Sequence, residues 1–348
     1  MMSQETLIQV FLAVPMPTNE SDIEDNLNID FRANLYQTID NLCSISIQFD
    51  LLEWGECTPE ISLADNKKRI EIKKIFPLKL FHKFEHYEIL EVSCIIPFSE
   101  EQIEDDPPNF PAGAVARYLI GKYFCKKIFD LIIISNLCRI GSIGVANSVV
   151  FIDNVYAPNL DIPSIDTYFL ECSVEYSKKI GWPKFKNINI AEAWEWLNGY
   201  NYFSNDFNKD PIERALCAFS NLFDNDVMNN PMLLIWALVG IEAIYVKGKS
   251  GLIEQVKEKS QIFLGKYATY KKKINQMYNF RSRFIHGDLN FPRSFFMEDA
   301  IAEYKKYNAE LYESIDLAIA ILSASIQELI VRNWNGIVFQ YTPIEPTD

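Results

Sequence analysis

Histidine is the scarcest chemically informative residue in this chain: His82, His86 and His286 are the only ones in 348 residues. So little histidine leaves scant material for a Ser-His-Asp nucleophile, and no Gly-x-Ser-x-Gly elbow occurs. Cys-x-x-Cys is also absent. The seven cysteines (Cys43, Cys57, Cys94, Cys125, Cys138, Cys172, Cys217) are scattered and odd in number, which argues against a zinc ribbon or a disulfide framework and fits reduced thiols. Basic residues are outnumbered, 33 to 47, for a net charge of -14. A protein that coats nucleic acid or anionic membrane needs the opposite balance, so any phosphate contact must be local. Long hydrophobic runs are missing too. The longest apolar helix candidate, Pro231 to Val246, contains Glu242 and is short for a bilayer, and the run Leu7 to Pro15 follows Glu5 with no basic segment before it. The expectation is a soluble, cytoplasmic protein without internal repeats or low-complexity tracts.

What is abundant is apolar mass. Hydrophobic residues make up 49% and aromatics 14%, enough for each half of the chain to bury its own core. The expected fold class is α+β, with a mixed strand-rich domain followed by an all-α bundle. Residues 1–185 read as a sensor or regulatory domain, 186–210 as a linker with a short helix, 211–335 as the helical bundle and 336–348 as a loose tail.

In the first part, Thr6 to Ala13, Ser44 to Leu52, Arg69 to Ile75, Ile89 to Ile96 and Ser148 to Val155 are short, β-branched and partly alternating, as strands should be. One helix is expected among them, Ala112 to Cys138, with Val115, Leu119, Tyr123, Ile128 and Leu131 on its apolar side. After a short helix at Ala191 to Leu197 the pattern becomes helical: Pro211 to Phe223, Pro231 to Val246, Leu252 to Leu264, Lys271 to Ile285 and Phe296 to Trp334. Their short joints carry Asn, Gly and Pro, the outline of a bundle.

Several motifs carry chemistry. His82-Lys83-Phe84-Glu85-His86 has the residue order of inverted zinc peptidases, although its surroundings are strand formers and surface histidines are the default reading. The acidic run Glu100 to Asp106 reads as a solvated loop, and Gly248-Lys249-Ser250 lacks the upstream glycine of a phosphate loop, with Ala243 in its place.

The remaining motif is Arg281-Ser282-Arg283-Phe284-Ile285-His286-Gly287. Gly287 is the residue type that closes a helix in the left-handed conformation. On a regular helix Arg281 and His286 would point about 140° apart, so they can share a compact site only if the helix ends between them or a second subunit contributes. The plain alternative is that both satisfy a helix C-terminus and its carboxylate neighbours. Around them, residues 257–293 hold nine basic residues (Lys257, Lys259, Lys266, Lys271, Lys272, Lys273, Arg281, Arg283, Arg293) against Glu258 and Asp288. In an acidic chain this is where a phosphate backbone would be attracted, unless it is simply a lysine-rich solvent face.

Three segments in order, Leu233 to Ile244 with its embedded Glu242, Lys257 to Gly265, and Tyr278 to Gly287, make residues 210–335 resemble a HEPN domain of the ApeA-like kind. The family signature is an arginine, four to six residues and a histidine, here Arg281 and His286; Ser282 stands where many family nucleases have Asn, Asp or His. The resemblance implies a helical bundle acting in anti-phage defence (abortive infection) or as a toxin. It implies metal-independent cleavage of RNA, such as tRNA, in a cleft between two protomers, without a cofactor. His286 would then handle protons and Arg281 the phosphate. Ser282, Arg283, Tyr278, Glu242, Lys271, Lys272 and Lys273 would support the site or contact RNA, and a phage trigger or antitoxin could be a partner. The alternative is a HEPN-like bundle that binds nucleotides or a protein without catalysis.

Overall fold

The computed structural model describes residues 4–16, 26–76, 87–98, 113–203, 210–224, 231–248, 250–292 and 302–340. These form an α+β protein of two compact units, Met1–Thr167 with Asn189–Glu195, and Tyr168–Ile188 with Trp196–Asp348.

The first unit is built from β1 (Gln4–Pro15), α1 (Asn26–Ser44), β2 (Phe49–Asp50), β3 (Glu56–Cys57), β4 (Glu60–Leu63), α2 (Asn66–Lys73), β5 (Tyr87–Phe98), α3 (Ala114–Cys138), β6 (Asn147–Ile152) and β7 (Val155–Tyr156). Five strands make one antiparallel sheet in the order β4-β5-β1-β6-β7, while β2 and β3 pair separately. β1 takes the centre because it is apolar on both faces, as a strand covered on both sides must be. Val10 lies between Val92 and Val150 on one face. On the other, Phe11, Ala13, Ile89 and Val149 close a core with Ala64, Ile72 and Phe76. Asp153 and Asn154, both at positive φ (50° and 65°), turn β6 into β7, as a two-residue hairpin requires.

The strands expected at Thr6 to Ala13, Ile89 to Ile96 and Ser148 to Val155 are present as β1, β5 and the β6–β7 hairpin. Two others are corrected. Arg69 to Ile75 lies mostly in α2, started by Asp65, whose carboxylate accepts from Lys68 N at 2.8 Å. The helix is fastened to β5 by charge, with Lys68 Nζ 2.7 Å from Glu91 and Arg69 2.8 Å from Glu88. Ile72 alone of its residues is fully buried and Ile70 is exposed, so the apparent alternation was not a strand face. Ser44 to Leu52 holds only the two-residue β2, because α1 runs through to Ser44. α3 is present, but its buried stripe is Ala116, Ile120, Phe124, Ile128 and Leu131, one position out of phase with the expected Val115, Leu119 and Tyr123.

The second unit contains α4 (Tyr168–Ile180), α6 (Pro211–Ser220), α7 (Pro231–Tyr245), α8 (Leu252–Leu264), α9 (Tyr270–His286) and α10 (Ala302–Arg332). Between α4 and α6, α5 (Ile190–Gly199) belongs to the first unit through Glu195 and to the second from Trp196. α10 is the hub, packing on α4, α6, α7, α8 and α9. It meets α7 closely at Gly240, where an added Cβ would stand 2.7 Å from Leu322. Near by, the buried Tyr245 hydroxyl shares a hydrogen bond of 2.7 Å with Ser325 Oγ. α10 is long and apolar enough to cross a membrane by length and composition, yet 83% of its apolar window is buried within the protein. The candidate zinc motif at 82–86, the acidic run at 100–106, Lys249 and Arg293 lie outside the described residues, as does the tail from 341.

Candidate functional site

α9 forms where Ile274, Met277, Tyr278 and Phe280 give an apolar side to an otherwise basic segment, and all four are buried. It runs unbroken through His286. Gly287 then adopts the left-handed conformation (φ 79°, ψ 14°), and the amides of Gly287 and Asp288 both donate to Arg283 O. The helix therefore does not end between Arg281 and His286, and within one chain α9 sends the two side chains in different directions.

Arg281 shares a side of α9 with Tyr278, three positions earlier, and both interact with Glu242 of α7. This triangle is electrostatically tense. Burial raises the Glu242 carboxyl above the ordinary carboxylate range, against the opposing pull of the Arg281 guanidinium and the Tyr278 hydroxyl. Burial and the Glu242 charge push the Tyr278 phenol up in turn. Glu242 Oε1 and the Tyr278 hydroxyl are close enough to interact but miss hydrogen-bond geometry, and each is buried without a hydrogen-bond partner. The Arg281 charge thus favours the ionised form of a carboxylate that burial disfavours.

His286 stands elsewhere. It is exposed at the last helical position and makes no hydrogen bond or ion pair with a described residue. By helical geometry it shares a side with Ser282 and Arg283, four and three positions back. Ser282 is half-buried.

Arg283 is committed to a different partnership. It pairs with Glu310 of α10 and lies over the Phe280 ring at 6.0 Å. Lys273, ten positions earlier, bonds Glu313 at 3.1 Å and lies 5.7 Å from the Tyr176 ring centroid. These residues line a cleft of about 250 Å³ among α4, α9 and α10. Glu310, Glu313 and Tyr176 were not foreseen, because nothing in the sequence pairs acids of α10 with bases of α9 before the helices are docked. Next to them Asp316, driven by burial and then by Glu175 and Glu313, has its pKa pushed up to about 7.

The basic patch contracts on folding. Lys257 and Lys259 are buried, the first bound to Glu254 at 2.7 Å, the second donating to Tyr245 O at 2.7 Å and Gln255 Oε1 at 2.6 Å. Burial, with Lys247 adding to it, holds the Lys259 ammonium below the ordinary lysine range. Lys266, Lys271 and Lys272 remain exposed. Among the described residues no group of three or more His, Cys, Asp or Glu side chains is arranged to hold a metal ion.

Comparison of the chain with protein-family models, with curated proteins and with solved structures gives no match.

Proposed function

We propose that this protein is a metal-independent endoribonuclease of the HEPN type, a cytoplasmic homodimer acting in anti-phage defence by abortive infection, or as a toxin, on structured RNA such as tRNA. The observation that carries the reading is the division of labour on α9: Arg281 lies in the field of half-buried Glu242, while His286 is exposed at the helix end without a partner among the described residues. A site using both groups needs a second copy, whose motif faces the first.

In such a site the chemistry is general acid–base catalysis with charge stabilisation. The ribose 2′-oxygen forms a bond to the adjacent phosphorus as its proton passes to a His286 imidazole, and the bond from phosphorus to the 5′-oxygen breaks as that oxygen takes up a proton. Arg281 supplies two parallel N–H donors to the equatorial phosphate oxygens, where negative charge develops. Products are a 2′,3′-cyclic phosphate and a 5′-hydroxyl. Exposed Lys271 and Lys272 lie on the same helix and suit the RNA backbone.

A second reading has its own support: Lys273 and Arg283 are already neutralised by Glu313 and Glu310, which suits a non-catalytic module that binds a nucleotide or protein. Incubating wild type and His286→Ala with tRNA and total RNA in EDTA separates the two. Cyclic-phosphate ends from wild type, lost in the variant, support the nuclease; cutting that survives in the variant removes His286 from the chemistry. Tight RNA or nucleotide binding with no cutting under any activating condition favours the binding module.

A further inference from the structure

The structure assigns Cys57 and Cys94 as a thiol pair built to form a reversible intramolecular disulfide, a redox modification site in the first unit that is separate from α9. Cys57 lies on β3 and Cys94 on β5, far apart in sequence but brought together because the segment after β3 continues into β4, which pairs with β5 in the register Glu60 to Ser93. Cys94 Sγ lies 3.5 Å from Thr58 O, the carbonyl of the residue that follows Cys57. Both thiols are free in this structure.

Their surroundings divide the roles. Cys94 sits between Val92 and Ile96 on one face of β5, yet where those two are buried it is only partly covered. Cys57 is buried at 7% exposure. The two thiols also influence each other's ionisation: the neighbouring Cys57 holds the Cys94 thiol below the ordinary range, whereas Cys94, reinforced by burial, pushes Cys57 up. The less buried sulfur is therefore the one that ionises first, the condition for attack on a disulfide. The buried one is placed to resolve the product. Of the remaining thiols, Cys125 and Cys138 are buried, with burial raising their pKa, and Cys43, though exposed, has its pKa raised by burial and by Asp40.

The oxidant is a low-molecular-weight disulfide such as oxidised glutathione. The Cys94 thiolate bonds to one glutathione sulfur, the S–S bond breaks, and the first glutathione leaves as thiolate. Cys57 then gives up its proton and attacks Cys94 Sγ, which expels the second glutathione. Two protein thiols are oxidised, one small disulfide is reduced to two thiols, and the net proton count is unchanged. The product ties β3 to β5.

The test treats the full-length protein with oxidised glutathione under native conditions, alkylates remaining thiols and maps the peptides by mass spectrometry. Wild type should yield a Cys57–Cys94 cross-linked peptide that dithiothreitol reverses. Cys57→Ser should stop at a stable glutathione adduct on Cys94, and Cys94→Ser should lose both adduct and cross-link at position 57. Cys43→Ser should behave as wild type. A wild-type protein that accumulates the adduct on Cys94 with Cys57 still alkylatable, or that cross-links either cysteine elsewhere, overturns the assignment. So does a Cys94 thiol that reacts no faster than Cys43.

Discussion

Arg281 and Arg283 are separated by one serine, and the two sides of α9 on which they lie are physically opposite. Around Arg283 the charges are paired: Glu310 takes the guanidinium, Glu313 takes Lys273, and aromatic rings lie by both charged groups, with Arg283 Nε alone buried and unpartnered among the atoms of these two bases. Around Arg281 they are not. Glu242 is half-buried with one oxygen unpartnered, Tyr278 keeps an unpartnered hydroxyl at 3% exposure, and burial makes the carboxylate costly to charge. Paired charges are what stability selects, whereas a buried carboxylate without an ion-pair partner is what function often requires. The contrast separates two residues that look equivalent in the sequence.

The largest expected effect breaks the equivalence outright. Arg281→Ala should lower RNA cleavage by about 100-fold or more, since it removes charge stabilisation at the phosphate. Arg283→Ala should leave cleavage within about 10-fold of wild type and instead destabilise by roughly 0.5–1 kcal/mol, the scale of a partly exposed ion pair. Single-turnover cleavage beside urea unfolding checks both, and a reversed pattern would move the site to the α10 side.

Next in size is a pH effect beside the paired side. The folded pKa of Asp316, about 7, lies above the ordinary aspartate value near 3.9. The stability associated with it is therefore fully present below about pH 4 and lost as pH rises through about 7. Asp316→Asn should flatten the decline, gaining on the order of 2 kcal/mol at pH 8 relative to wild type, less than the full shift converts to because water still reaches the group. Urea unfolding from pH 4 to 8 measures it; parallel curves for the two proteins would contradict it. Glu242 has the same sign, so Glu242→Gln should also lose less stability than wild type as pH rises past the carboxylate range.

The smallest effect compares two buried tyrosines. Tyr245→Phe gives up a 2.7 Å hydrogen bond to Ser325 and should cost about 1 kcal/mol. Tyr278→Phe removes an unpartnered hydroxyl and should stay within about 0.5 kcal/mol of wild type or exceed it. Equal losses in thermal unfolding would mean that the Tyr278 hydroxyl is satisfied.

Much of this architecture is legible in the sequence where local and tertiary signals agree. α8 spans Leu252–Leu264, as glycines on either side of a helical pattern suggest, and β1 and β5 lie where β-branched runs stand. α4 escapes notice because half of its buried face is serine: Ser173 and Ser177 bond Leu170 O and Pro183 O and lie in the core with Leu170 and Tyr176. α2 is misread because an Ile-x-Ile pattern imitates a strand, and the ion pairs to β5 that hold it as a helix are long-range. At the site, the positions of Arg281, His286, Glu242 and Gly287 can be picked out by pattern. The partners that distinguish Arg281 from Arg283 cannot, since they come from α7 and α10 and exist only after packing.

The central claim is that Arg281 and His286, sent apart by one continuous helix, act across two copies of the chain. Mixing Arg281→Ala with His286→Ala, each inactive alone, tests it most directly through RNA cleavage after subunit exchange. The heterodimer carries one intact arginine and one intact histidine on opposite copies, so a substantial fraction of wild-type cleavage should return. A mixture that exchanges subunits, shown by tagged pull-down, yet stays as inactive as its parents would contradict a site shared in this way.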